Sequence, residues 1–223
     1  MNNTTIEYAD FAEYDRRQRA IERHLLVAFA GGLTVGLIGI LFAGNGPGWV
    51  GQIYDPYAYL ALSLAVGASA SGFAWALVTT FLAAVAALVG TMAAGALHGR
   101  DIFQIVGSDA AGLNWTLVLL VGLGLLAYAT RRDDGWGDLA AGAVGAALIA
   151  DVVDRATPGF IESEQSFWPG PAMAIGLLSL VLVLALRRNT RGRLRALALS
   201  VVFSGTFAAC LAAFVAGWFP LAV

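Results

Sequence analysis

Long apolar runs alternate along this chain with short connections rich in arginine, acids, glycine, proline and aromatics. A run of about 20 residues is what a helix needs to cross ~30 Å of hydrocarbon, so each long run predicts a membrane-spanning helix. The first starts at about His24 and ends at Gly44, and others cover roughly 110–130, 138–157, 171–186 and 196–218. Residues 57–97 form one uncharged stretch, too long for one ordinary span and short for two. All six prolines (47, 56, 158, 169, 171 and 220) lie at or near the ends of these runs. The pattern predicts an all-α polytopic transmembrane helix bundle, with residues 24–223 as a single transmembrane domain.

Residues 1–23 read differently. Tyr8, Phe11, Tyr14, Gln18, Ile21 and Leu25 recur at spacings of three and four, which gives a helix with one largely apolar face. Glu13 to Arg17 and Asp15 to Arg19 are acid-before-base pairs in the supportive order. The expectation is an amphipathic N-terminal helix at the membrane interface, or a docking helix for a partner protein. Acids and aromatics come first, which is not the order of a signal peptide.

Charge decides how often the uncharged stretch crosses. If it turns near Ser69-Ala70-Ser71-Gly72, the chain has seven spans. Arg16, Arg17, Arg19, Arg23, Arg131, Arg132 and the five arginines of 187–195 then share one side, and only Arg100 and Arg155 lie on the other. A single crossing would scatter them. The positive-inside rule therefore favours seven spans, N-terminus in and C-terminus out, in a bacterial plasma membrane. The helix before that turn would be short, about 24 Å at 1.5 Å per residue.

Composition agrees with the pattern. The chain is 59% hydrophobic and 13% charged with mean hydropathy +0.75, where soluble domains carry roughly 25% charged residues. The lipid bilayer is the expected surrounding. Net charge of −2 suggests no nucleic-acid partner. With two histidines and one cysteine, Cys210, no metal site of His and Cys is expected, and no cofactor is indicated. The chain lacks GxxxxGK[ST], HExxH, CxxC and GxSxG, which argues against a built-in ATPase, a zincin, a thiol oxidoreductase and the usual serine hydrolases.

The fifth run, DLAAGAVGAALIADVVDRAT, is the one apolar span with acids well inside it. Its Gly/Ala half suits close helix packing, and its ionisable end suits a bundle interior or a water-filled cavity. It is the expected centre of the fold, with Asp138 as its N-cap. Asp151 is the leading candidate for a site. Asp154 lies nearer the boundary, and Arg155 is one turn from Asp151, so the pair can also simply neutralise itself. On the seven-span topology His98, Asp101, Asn114 and Trp115 fall on the same side as Asp151. They are candidate ligand-binding residues, as proton carrier, second acid, hydrogen-bonding group and stacking surface; catalytic residues cannot be named. Gly32 and Gly36 form a GxxxG, extended by Gly39, for packing within the chain or against a second copy or partner.

The run GGLTVGLIGILFAGNGPGW followed by YLALSLAVGA, and later AGAVGAALIADVVD, resembles a family of small polytopic membrane proteins from high-GC bacteria with no assigned activity. The resemblance implies architecture and no substrate. Three readings remain. One is a transporter or transporter subunit for a small molecule or ion, with an acidic outward-facing cavity. Another is an intramembrane enzyme using an Asp general acid on a lipophilic, isoprenoid-like substrate. The third is a scaffold or accessory subunit. Transport predicts a polar path to both faces, catalysis an apolar pocket ending in one or two acids, and a scaffold a solid core with Asp151 locked to Arg155.

Overall fold

The computed structural model describes residues 8–45, 48–97, 110–158, 160, 167–187 and 189–216. Within them the chain is all α, with helices α1 (Tyr8–Asn45), α2 (Gly48–Ser69), α3 (Phe73–Leu97), α4 (Ala110–Ala129), α5 (Gly135–Ala156), α6 (Gly170–Leu186) and α7 (Thr190–Val215). Five segments are long and apolar enough to cross a membrane, in α1, α3, α4, α5 and α7. α6 is apolar but has only 17 residues. The uncharged stretch 57–97 is two helices, and its turn falls at residues 70–72, beside the expected Ser-Ala-Ser-Gly.

Two expectations about element ends need correction. The N-terminal segment is no separate helix: residues 8–23 run without a break into the first apolar run. Nothing between them breaks a helix, since the boundary carries neither Gly nor Pro. At 38 residues α1 is roughly 57 Å long, about twice the hydrocarbon thickness. The second correction concerns the loop expected up to Pro56. Residues 48–54 are already helical, and α2 is one element kinked at Asp55, which adopts φ −103° and ψ 116°. Proline clashes with a helical residue before it, and this pushes Asp55 into extended geometry.

Small residues set the packing. A Cβ on Gly32 would lie 2.3 Å from the Ala83 carbonyl oxygen, and one on Gly36 would lie 2.1 Å from that of Ala87. The GxxxG is therefore the contact between α1 and the parallel helix α3, and it is filled within the chain, which removes it as an oligomer face. Gly39 turns to α2 instead, against Tyr59 and Tyr54. α2 and α4 cross where Gly67 meets the Gly124 backbone, with Thr80 of α3 beside Gly124. α5 and α7 cross where Gly142 and Gly145 face Leu199 and Ser200, and the Ser200 hydroxyl donates to the Gly142 carbonyl at 3.1 Å.

The fold consequently has two centres where one was expected. α3 packs on α1, α2 and α4, while α5 packs on α4, α6 and α7. In α3 50% of the apolar window is buried and in α5 56%, against 11% in α7. α6 turns Met173, Leu177, Leu178 and Val181 outward. α4 is divided: Val118 and Leu119 are exposed, while Leu120, Leu123 and Ala127 join the main apolar core with Tyr57, Leu60 and Val144. Its Leu-rich run is exposed along one stripe only.

Candidate functional site

α5 carries Asp138 near its start and Asp151 and Asp154 near its end, and Asp138 and Asp151 each meet an arginine. The first was expected as the N-cap. The cap is Asp134, whose side chain accepts from the Gly137 amide at 3.1 Å. Asp138, one turn inside, is buried and pairs with Arg187 at 2.6 Å, both side chains being 6% exposed. Arg195 approaches from α7 at 3.8 Å. Arg187 also donates to the Thr130 and Arg132 carbonyls at 2.9 and 2.5 Å, at the end of α4. Gly137 and Gly192 leave the space this cluster occupies, since a Cβ on either would strike it. The cluster ties the ends of α4, α5, α6 and α7 together.

The other carboxylate is placed differently. Asp151 is half-buried, with its side chain 27% exposed. It accepts from the Tyr57 hydroxyl of α2 and pairs with Arg155 at 3.3 Å. The Arg155 guanidinium sits 5.8 Å from the Phe167 ring centre, a cation–π contact. Asp151 and Arg155 line the polar end of a cavity of about 480 Å³ among α2, α3, α4 and α5. The volume is within the usual range of small-molecule sites, ~300–1,000 Å³. Its walls are mainly leucines, from Leu60 and Leu88 to Leu119, Leu123 and Leu148. Its polar groups are Asp55, Tyr59, Thr91, Thr116, Asp151 and Arg155. Thr91 donates to the Ala87 carbonyl at 2.9 Å, which leaves its oxygen to accept from Tyr59, also at 2.9 Å.

Of the expected site residues, Asp151, Arg155 and Trp115 line this cavity. Asp154 is half-buried on α5 and does not line it, and Asn114 is exposed on α4 and does not line it. His98 and Asp101 lie outside the described residues. Sequence reasoning missed Tyr57 and Tyr59 as site residues, because tyrosines beside a proline at a span end read as interfacial anchors. It also missed Thr91 and Thr116, single hydroxyls in apolar helices.

Between the two carboxylates α5 presents only Gly, Ala, Val, Leu and Ile over residues 139–150. That separates the charged ends by about 20 Å at 1.5 Å per residue. Among the described residues no group of three or more His, Cys, Asp or Glu gathers to hold a metal. No protein-family model, curated protein or solved structure matches this chain. Fold and site together define a multi-pass membrane protein.

Proposed function

We propose that the protein binds a small molecule in the cavity beside Asp151 and handles it at the membrane. The observation that supports this most is the cavity's polarity: leucine walls ending in Asp55, Asp151 and Arg155. A scaffold needs no such void. The Asp151–Arg155 pair is also more exposed, 27% and 14%, than the Asp138–Arg187 pair at 6% each. The arginine distribution supports seven spans with the Arg-rich end in the cytoplasm of a bacterial cell, so that the cavity belongs to the outer half. The resemblance to small polytopic proteins of high-GC bacteria fits this architecture and adds no substrate.

Transport is the second reading, and one feature favours it. α2 is broken at Asp55-Pro56, beside the cavity, and secondary transporters often bind substrate at broken helices. The apolar stretch 139–150 offers no polar path onward, so transport would need the helices to move. An Asp general acid acting on a lipophilic substrate fits the same walls.

Binding is tested by ligand stabilisation in detergent. A ligand at a hundred times its Kd stabilises the folded state by about 2.7 kcal/mol. Added dodecanol is expected to raise the unfolding midpoint of the wild type and of Leu180→Trp, a substitution on an exposed face. It should leave Leu123→Phe, which fills the cavity, unshifted. Equal shifts in all three would count against the site.

A further inference from the structure

The cavity's mouth and its charge together narrow what it takes. Asp55 on α2, Trp115, Thr116 and Leu119 on α4 and Ala147 on α5 line the cavity and are also exposed. The opening therefore runs from Asp55 at the polar end along the side of the bundle, over the halves of α4 and α5 remote from the Arg-rich end. Trp115 and Leu119 are 73% and 52% exposed, an apolar doorway facing the bilayer. A molecule that enters there is already dissolved among lipid chains.

The polar end selects the head group. Asp151 engages Arg155, and Asp55 lies within electrostatic range of the same guanidinium. Among the described lining residues, two carboxyl groups and one guanidinium face this end. An anionic head would face both carboxyl groups beside apolar walls, and desolvating it would add to the cost. A hydroxyl or ammonium head can donate to Asp55 and exchange hydrogen bonds with Tyr59 and Thr116. We infer that the site receives a membrane-borne amphiphile whose head is a hydrogen-bond donor and carries no negative charge: a long-chain alcohol or amine. This rests on the binding reading above and adds the ligand's chemistry and its route.

The test uses the full chain in detergent and three probes that differ only at the head: dodecanol, dodecylamine and dodecanoate. The readout is the probe concentration giving half the maximal rise in unfolding midpoint. For the wild type, the alcohol and the amine should act at about tenfold lower concentration than the carboxylate. Asp55→Asn, on an exposed residue where folding is not at risk, should lower the preference for the amine over the carboxylate several-fold. Ala147→Trp, which narrows the doorway, should raise the concentration needed for all three. Dodecanoate acting as well as the amine, or an Asp55→Asn variant with unchanged preference, would overturn the head-group inference while leaving the binding site intact. An unchanged response in Ala147→Trp would overturn the lateral route. No shift with any probe would overturn the binding reading itself.

Discussion

Two carboxylates on one helix show how much surroundings decide. Asp138 is sealed with Arg187, and removing either partner strands a buried charge. Arg187→Ala or Asp138→Ala is expected to cost about 3–5 kcal/mol, read from unfolding in detergent, and the Asp138→Leu/Arg187→Met pair much less. Asp151 shares its charge with Tyr57 and Arg155 but keeps a side open to the cavity. Its importance was legible from the sequence, because an acid deep in an apolar span is costly and needs a reason. The role of Asp138 was not. An acid at a helix start reads as a cap, and only the fold brings Arg187 to it from almost fifty positions away. The true cap, Asp134, is exposed. Its hydrogen bond to Arg132, aided by the Gly137 amide, holds its carboxyl below the usual range. A depressed value means the charged cap contributes at and above the ordinary aspartate range and is lost as pH falls through the lowered value. The Gly137 amide should stay protected from hydrogen exchange at neutral pH and lose protection only in acid. In Asp134→Asn that acid step should vanish.

At the scale of helices, glycine positions carry the architecture. Gly32 and Gly36 let α1 lie against the α3 backbone, and any side chain there must push the helices apart. Gly36→Leu should lower the unfolding midpoint clearly, whereas Gly122→Leu, with nothing within 4 Å of the added carbon, should change it little. The GxxxG was visible in the sequence but its partner was not, since several spans offer small residues. The central position of α3 was hidden for a related reason. It carries no ionisable group, so charge drew attention to α5, while the Ala/Gly/Thr composition of α3 gave the same packing signal unaccompanied. The kink in α2 was readable in principle, because Asp55 precedes proline. A loop and a kinked helix leave the same Gly, Pro and aromatic signature.

For the whole molecule, arginine sidedness and helix count agree. The seven helices place Arg131, Arg132, Arg187, Arg191, Arg193 and Arg195 at one end, with Asp55, Asp151 and Arg155 at the other. Single cysteines in a Cys210→Ser background are expected to follow this division. A cysteine at Arg191 should react with a membrane-impermeant thiol reagent only after the cells are opened, and one at Pro158 should react from outside. Apolar periodicity was enough to read an all-α chain with several candidate membrane spans. A cavity beside Asp151 was among the readings, but its leucine walls and its lining by Tyr59, Thr91 and Thr116 were not, because a void takes its shape only where the side chains of four helices fail to meet. The most direct test of the central claim is therefore a high-resolution structure in lipid nanodiscs, focused on the space among α2, α3, α4 and α5. The account predicts a bound molecule whose apolar part lies against Leu60, Leu88, Leu123 and Leu148 and whose polar end is within hydrogen-bonding reach of Asp55 or Asp151. A collapsed space, with α4 packed directly on α5 over residues 115–123 and Asp151 sealed against Arg155, would contradict it.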